Sequence, residues 1–271
     1  MNKMKVVVVT GASSGIGLAV AKYYAHNGFK VYGVSRTSFE EERIISLQAD
    51  VTDYESLLKV YKEIYETEER FDILINNAGM GISGSIEETK IEDAQRLFDV
   101  NFMGVFLSTK AGLPYLRKNK AGKIINIGSV AGSMSIPFQA FYSSSKAAVK
   151  AFSDALANEI APFKIQVCTV LPGDIKTNFT KNRRKNESLD PEYQARIEKS
   201  LAVMEKDEQN GMTVEYAAKI IYRLGVKEKM PLVKTIGVKY KVFVFLKRLL
   251  PERFVNWAIG LIYAFKKEKN K

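Results

Sequence analysis

Residues 6–17, VVVVTGASSGIG, decide the fold of this 271-residue chain. Four consecutive valines are typical of a strand that is buried on both faces. Three glycines follow at the spacing of a dinucleotide-binding loop: Gly11 permits a tight turn, Gly15 lets the backbone approach a pyrophosphate, and Gly17 lets the next helix pack closely. The residues of this loop that we expect to contact a nucleotide cofactor are Gly11, Ser13, Ser14, Gly15, Ile16 and Gly17.

Beyond this loop, apolar β-branched runs alternate with helix-like segments along most of the chain. The predicted strands are residues 5–10, 30–34, 44–48, 73–76, 123–127 and 165–171, and the predicted helices are residues 15–26, 54–67, 91–117 and 142–160. This alternation predicts an α/β fold with a doubly wound parallel sheet, a Rossmann-like three-layer α/β/α arrangement, in a single domain over residues 1–271. Ligands of such sheets bind at the carboxyl ends of the strands, so residues that follow strands are the candidates for function.

Arg36 follows the second predicted strand, where NAD-binding proteins usually carry an acid that binds the ribose 2′-hydroxyl. An acid would repel a 2′-phosphate, whereas a guanidinium pairs with it through a planar, charge-assisted fork. Arg36 therefore favours NADP(H), while an Arg36 that only faces solvent would leave NAD(H) open. Further cofactor contacts predicted from their positions after the third and fourth strands are Asp50, Val51, Asn77, Ala78 and Gly79.

The chain contains one cysteine, Cys168, and one histidine, His26. No internal disulfide can form, and we expect no metal site of the Cys/His kind. A reducing cytoplasm is the expected location. The first strand begins so early that we expect no signal peptide.

The net charge of +11 is concentrated near the C-terminus, because residues 227–271 carry 12 Lys and Arg against three acids, which leaves +2 for the rest. These basic residues are mixed with apolar ones and accompany no nucleic-acid reading motif, so we expect no nucleic-acid partner. Residues 239–271 form the predicted C-terminal extension, which is basic, amphipathic and helical. Its apolar part, residues 254–265, is too short to span a bilayer. It indicates either a helix on an anionic membrane surface or a helix buried against a dimer partner or a substrate lobe.

A long polar segment, residues 174–212, follows the last predicted strand. The pair Asp190-Pro191 indicates the start of a helix, which we expect to continue to Met204. The position of this segment predicts a lid over the substrate, with a solvated surface insertion as the alternative.

Tyr142 and Lys146 are four residues apart, and this spacing places them on one face of a predicted helix. A nearby ammonium favours the ionised phenol, so Lys146 is expected to lower the pKa of Tyr142 from its usual value of about 10. A tyrosine tuned in this way can act as a general acid near neutral pH. Such a pair also occurs on ordinary helices, so its interpretation depends on the rest of the sequence.

Several motifs surround this pair in a fixed order: TGASSGIG at 10–17, NNAG at 76–79, VNFMGVF at 100–106, IGSVAG at 127–132, YSSSK at 142–146 and PGDIKT at 172–177. With these motifs, the chain resembles the single-domain branch of the short-chain dehydrogenase/reductase family over residues 4–236. The resemblance implies an NADP(H)-dependent oxidoreductase that interconverts a ketone or aldehyde and an alcohol.

The resemblance also implies a role for each catalytic candidate. Tyr142 would give a proton to the carbonyl oxygen, and Ser129 would orient that oxygen. Lys146 would bind the nicotinamide ribose and tune Tyr142, while Asn101 would help to place a water for proton return. The residues expected to border the nicotinamide are Pro172, Gly173, Ile175 and Thr177.

The C-terminal extension departs from the acyl-carrier-reductase type of this family, whose chains finish soon after a last strand that supports tetramer packing. We therefore expect a homodimer, and a bulky or lipophilic carbonyl substrate such as a steroid, a retinoid or a lipid-like ketone. Peripheral membrane contact through residues 239–271 would give such a substrate access. The alternatives are a 3-oxoacyl thioester reductase and a non-catalytic NADP(H)-sensing regulator.

Overall fold

A seven-stranded parallel sheet forms the centre of the structure, a computed structural model that describes residues 3–185 and 190–264. Its strands are β1 (Val6–Thr10), β2 (Lys30–Ser35), β3 (Ile44–Gln48), β4 (Ile73–Asn76), β6 (Gly122–Ile127), β7 (Ile165–Pro172) and β9 (Val233–Ile236), while the short β5 (Ile82–Ser83) and β8 (Arg184–Lys185) pair with each other. The strand order is β3-β2-β1-β4-β6-β7-β9. This order confirms the predicted doubly wound, Rossmann-like fold, with its topological switch between β1 and β4.

Helices cover both faces of the sheet. They are α1 (Gly15–His26), α2 (Tyr54–Glu68), α3 (Ile91–Phe98), α4 (Gly104–Lys118), α5 (Ala140–Glu159), α6 (Phe179–Asn182), α7 (Pro191–Gln209), α8 (Val214–Val226), α9 (Val238–Leu249) and α10 (Glu252–Tyr263). Successive side chains of β1 point to opposite faces, so Val7 and Val9 pack towards α1 and α8, while Val6 and Val8 pack towards α2, α4 and α5. All four valines are fully buried, and each contributes roughly 1.5–3 kcal/mol to folding.

The segment predicted as one helix over residues 91–117 is interrupted. A π-helical turn, Asp99–Met103, separates α3 from α4. Such turns occur often at functional sites, because the extra residue changes the direction of a side chain without ending the helix. Here the turn contains Asn101, which is fully buried.

Several elements were not predicted, among them α8, β9 and the pair β5–β8. In β9 only Ile236 is buried, so this edge strand lacks the continuous apolar run that marks the other strands. Within residues 174–212 the predicted helix is present as α7, where Asp190 caps the N-terminus by accepting a hydrogen bond from the Glu192 N–H at 2.8 Å. The helix continues beyond Met204 to Gln209.

The predicted C-terminal extension begins as two helices, and its last residues, 265–271, lie outside the described part of the chain. Helix α9 follows β9 directly, and α10 packs against α7. Within residues 3–185 and 190–264, no helix combines the length and the apolar character that crossing a membrane requires.

Candidate active site

The loop between β1 and α1 has the backbone conformation that its glycines predict. Gly11 and Gly15 have φ values of +66° and +56°, which favour glycine. A Cβ atom at Gly11 would lie 2.8 Å from the Cα atom of Ala78, and one at Gly17 would lie 2.3 Å from the Gly11 carbonyl oxygen. The loop therefore requires glycine, and it presents the N-terminus of α1 as a site for a phosphate group.

Asn77 fastens the end of β4 to this loop. Its side-chain amide donates to the carbonyl oxygens of Thr10 and Gly11, each at 3.1 Å. Its backbone N–H donates to the Thr10 hydroxyl at 3.0 Å. These bonds hold together the two loops that flank the switch between β1 and β4, which is where a doubly wound sheet binds its ligand.

A cavity of 1140 Å³ runs along the carboxyl edge of the sheet, from the glycine loop past Tyr142 to α9 and α10. This volume exceeds the roughly 300–1,000 Å³ of a typical small-molecule site, so it has room for a cofactor and a second molecule. Gly17 was predicted to contact the cofactor, but it is not among the described residues that line the cavity. It packs against the Gly11 carbonyl group instead. The predicted cofactor residues that do line the cavity are Gly11, Ser13, Ser14, Gly15, Ile16, Arg36, Asp50, Val51, Asn77, Ala78, Gly79, Tyr142, Lys146, Pro172, Gly173, Ile175 and Thr177.

Arg36 lies exposed at the rim of the cavity, just after β2. The Gln48 side chain donates to the Arg36 carbonyl oxygen at 2.8 Å, and this bond fixes the backbone from which the guanidinium extends. Nearby, the Asp50 carboxylate accepts hydrogen bonds from the backbone and the hydroxyl of Thr52, both at 2.9 Å. The exposed guanidinium after β2 and the phosphate-binding loop after β1 fit a dinucleotide cofactor.

Ser129, Tyr142 and Lys146 converge on the cavity from two elements. Ser129 follows β6, while Tyr142 and Lys146 lie in the first two turns of α5. The Ser129 hydroxyl lies close enough to the Tyr142 phenol to lower its pKa. Lys146 is buried; its Nζ donates to the Ile127 carbonyl oxygen at 2.9 Å and lies 5.9 Å from the centre of the Tyr142 ring. The cavity is therefore lined at this point by the Tyr142 phenol, the Ser129 hydroxyl and the Lys146 ammonium.

The pKa of Tyr142 differs from the prediction. Burial raises the pKa of this phenol, and the Ser129 hydroxyl and the Arg183 guanidinium only partly offset the effect. Burial also lowers the pKa of the Lys146 ammonium, to about 8. The predicted net lowering of the Tyr142 pKa is therefore wrong, because loss of hydration outweighs the favourable groups around the phenol.

Asn101 lies behind the cavity wall. Its Oδ1 accepts from the Met80 N–H at 2.7 Å, and its Nδ2 donates to the Met80 carbonyl oxygen at 2.9 Å and to the Ser145 hydroxyl at 3.2 Å. A Cβ atom at Gly79 would lie 3.3 Å from Asn101 Oδ1 and 3.5 Å from Lys146 Nζ. The π-helical turn therefore brings Asn101 close to Lys146, where it fixes the loop after β4.

Helices α9 and α10 close the far end of the cavity. Two hydrogen bonds hold α9 there: Lys247 donates to the Ser133 carbonyl oxygen, and the Tyr240 hydroxyl donates to the Asp174 carboxylate. The sequence did not indicate which side of these helices would face a ligand. The apolar side chains that line this end are Phe243, Leu246, Leu250, Phe254, Val255, Ala258, Ile259 and Ile262.

Three charged residues, Asp174, Arg183 and Glu208, also line the cavity, although their positions in the sequence did not predict a role in the site. Arg183 donates from Nη2 to Glu208. They come from the end of β7, the residue after α6 and the last turn of α7. No local pattern marks them, because only the folded arrangement of these segments brings them together.

Comparisons with known proteins agree with this geometry. Residues 5–188 match the profile described as short chain dehydrogenase. The chain is 39% identical over 266 residues to the 3-ketodihydrosphingosine reductase of Bacteroides thetaiotaomicron, covering 97% of this chain and 99% of that relative. A solved short-chain dehydrogenase from Streptomyces avermitilis has a TM-score of 0.80 at 31% identity, covering 92% of this chain and 94% of the other. The structure of ElxO with NADP bound has a TM-score of 0.74 at 30% identity, covering 88% and 99%.

Proposed function

The chain belongs to the short-chain dehydrogenase/reductase family, and from this premise we propose that it reduces the ketone of a long-chain, lipid-like substrate with NADPH. The family membership confirms the prediction of an oxidoreductase that acts on CH–OH groups with NAD(P). The observation that carries the finer proposal is the continuity of one cavity from Tyr142 to the apolar inner sides of α9 and α10. A ketone bound beside Tyr142 would leave its alkyl chain among these side chains.

Two arguments support a long alkyl chain. Each methylene that leaves water for an apolar wall contributes about 0.8 kcal/mol, so a cavity end of this kind favours long substrates. The Bacteroides relative, whose similarity extends over nearly the whole chain, is named for 3-ketodihydrosphingosine, which is a long-chain 2-amino-1-hydroxy-3-ketone.

In the proposed reaction, a bound nicotinamide dinucleotide supplies the hydride. The Tyr142 phenol donates its proton to the carbonyl oxygen, which becomes the hydroxyl of the product, and Ser129 donates a hydrogen bond that orients this oxygen. Lys146 would hold the nicotinamide ribose, and with a pKa of about 8 it can also give a proton back to Tyr142. Asn101 keeps Gly79 in place beside Lys146, and its further role in placing a water remains a prediction.

The preference for NADPH rests on Arg36. Its guanidinium lies at the cavity rim after β2, and it forms no ion pair within the described part of the chain. It is therefore available for a 2′-phosphate, while Asp50 and Val51 would flank the adenine. The glycine loop and the residues after β4 and β7 would hold the rest of the cofactor.

The proposal is tested by NADPH oxidation with a panel of ketones. We expect long-chain ketones to be reduced with a higher kcat/KM than short ketones of the same headgroup. A 3-oxoacyl thioester with the same alkyl length belongs in the panel, because it represents the second enzymatic interpretation. A thioester preferred over every free long-chain ketone, or no dependence on alkyl length, would contradict the proposal.

We propose further that α9 and α10 contact an anionic membrane surface. On these helices, the side away from the cavity, here called the outer face, is apolar and exposed, and basic residues such as Lys241, Arg248 and Arg253 lie beside it. The charge excess of residues 227–271 favours an anionic lipid surface over a second, equally basic copy of this chain. The outer face consists of Val238, Val242, Phe245, Leu249, Trp257 and Leu261.

This contact is tested by sedimentation of the full chain with vesicles of phosphatidylglycerol or of phosphatidylcholine. Binding is expected to the anionic vesicles, and it should weaken in Trp257→Glu and Phe245→Glu. Met4→Glu is the matched control, since Met4 is equally apolar and exposed but lies before β1, at the opposite edge of the sheet. No binding to anionic vesicles would contradict the proposed membrane contact. A dimer in solution that dissociates when Trp257 is replaced would instead assign the outer face to a partner copy.

A further inference from the structure

The aromatic ring of Phe179 lies directly beside the proposed proton donor. The centres of the Phe179 and Tyr142 rings are 5.6 Å apart, and their planes are inclined by 52°. This separation lies within the range of about 4.5–7 Å in which aromatic rings pack against each other. Both rings line the cavity. A carbonyl that receives the Tyr142 proton therefore enters the space next to Phe179.

Two groups behind Phe179 hold its ring in this position. A Cβ atom on Gly81 would lie 2.9 Å from Cζ and 3.0 Å from Cε1 of Phe179, so the edge of the ring packs directly on the Gly81 backbone. The Arg183 guanidinium carbon lies 5.8 Å from the ring centre, and the Arg183 side chain, which donates to Glu208, is 1% exposed. The ring is therefore enclosed between Tyr142, the Gly81 backbone and a buried ion pair, and such close-packed surroundings yield little.

Backbone hydrogen bonds fasten the segment that carries Phe179 on both sides. Before it, the Lys176 N–H donates to the Met212 carbonyl oxygen at 2.9 Å. After it, the Arg184 N–H donates to the Gly81 carbonyl oxygen at 3.0 Å, and strand β8 pairs with β5. Because both ends of the segment are bound to neighbouring parts of the fold, the ring forms a wall to which a ligand has to fit.

Ile136, from the loop before α5, forms a second wall of the cavity near Tyr142. Its backbone N–H donates to the hydroxyl of Ser143, the residue that follows Tyr142, at 3.3 Å. Its side chain packs against three buried apolar residues of α7, and Ile136 also lines the cavity. The space beside Tyr142 is therefore bordered by side chains that the surrounding structure holds in place.

We propose that Phe179 is a specificity-determining residue that limits the width of the ketone. In the proposed reaction the long alkyl chain extends towards α9 and α10, so the second substituent of the carbonyl lies beside Phe179. An open-chain substituent can turn into the space next to the ring, whereas a rigid fused ring collides with it. This inference rests on the proposed reduction of long-chain ketones, and it excludes fused-ring ketones such as steroids from the substrate class.

The test compares two ketones that carry the same long alkyl chain on one side of the carbonyl. On the other side, one carries an n-decyl group and the other a decalinyl group, which holds the same number of carbon atoms in a rigid fused ring. For each enzyme the readout is the ratio of kcat/KM for the fused-ring ketone to that for the open-chain ketone, measured by NADPH oxidation. This ratio is independent of the fraction of enzyme that is folded, and its change between variants cancels the intrinsic reactivities of the two ketones.

Phe179→Ala should raise this ratio about tenfold or more over the wild type, since a single surplus methylene in a fitted apolar site already changes kcat/KM by about 10–200-fold. Phe179→Leu keeps part of the side-chain volume and should raise the ratio by a smaller factor. Phe163→Ala is the matched control, because it removes the same ring from an exposed residue before β7, at the end of that strand away from the cavity. It should leave the ratio at the wild-type value.

Two results overturn different claims. If the wild type and Phe179→Ala show the same ratio, Phe179 does not limit the width of the substrate, and long-chain ketone reduction stands. If the wild type reduces neither ketone with NADPH, the proposed function itself is wrong and the width limit falls with it. Should Phe179→Ala fail to fold because of the cavity that it leaves beside Arg183, Phe179→Leu decides the question, since an unchanged ratio in that variant overturns the proposal and a raised ratio supports it.

Discussion

Replacing Ala258 with leucine should shorten the longest substrate that the cavity accepts. Ala258 lies on the inner side of α10 and lines the apolar end of the cavity. Leucine adds about three carbon atoms to this side chain, so it displaces about three methylenes of a bound alkyl chain. At about 0.8 kcal/mol for each methylene, the loss is about 2.4 kcal/mol, or about 50-fold in kcat/KM for the longest substrates. Ketones too short to reach α10 should lose nothing.

The assay is a series of ketones with one headgroup and increasing alkyl length, measured by NADPH oxidation in the wild type and in Ala258→Leu. Asn256→Leu is the matched control, because Asn256 is exposed on the same helix and lies outside the described cavity lining. It adds a similar apolar group without narrowing the cavity. An equal loss at every alkyl length, or the same length dependence in both variants, would refute the assignment of the alkyl chain to α10.

Three further predictions concern the cofactor and the catalytic residues. Tyr142→Phe should lower turnover by about 10²–10⁴-fold while NADPH binding, followed by its fluorescence, stays unchanged, since only the proton donor is lost. Arg36→Asp should shift the ratio of kcat/KM values towards NADH, because a carboxylate repels a 2′-phosphate; an unchanged ratio would remove Arg36 from the phosphate site. Burial lowers the pKa of Lys146 from its usual 10.5 to about 8 in the folded chain, so between these values only the unfolded chain keeps the proton. Lys146 therefore makes the free energy of unfolding rise with pH by up to about 1.4 kcal/mol per pH unit. Urea titrations at several pH values between about 8 and 10 should show this slope in the wild type in excess of the slope in Lys146→Met.

Local sequence patterns predicted those parts of the molecule that local physics determines. The valine run and the glycine loop specify a buried strand and a turn whatever the rest of the chain does, and both occur where they were predicted. The same holds for the cap of α7, which depends on Asp190 and the residues directly after it. The edge strand β9 was not predicted, because it has no continuous apolar pattern of its own. It is a strand because it pairs with β7.

The site contains features that no local pattern reveals. Asn101 reaches the loop after β4 only because a π-helical turn redirects it, and the turn forms where its side chain can bind both polar groups of Met80. The pair Arg183–Glu208 depends on how α6 and α7 fold back over the sheet. Neither arrangement follows from residue spacing, since each is a contact between segments that the chain brings together only after folding.

The pKa of Tyr142 illustrates why a correct spacing gave a wrong electrostatic prediction. Four residues along a helix do bring Lys146 to the same side as Tyr142, but the strength of a charge depends on how much water surrounds it. The Tyr142 phenol and the Lys146 ammonium are both buried and have little water around them. Burial therefore raises the pKa of the phenol and lowers that of the ammonium. A neutral phenol keeps the proton that a carbonyl must receive during reduction. The burial that raises the pKa of the Tyr142 phenol therefore also keeps Tyr142 in the protonated form that the reduction requires.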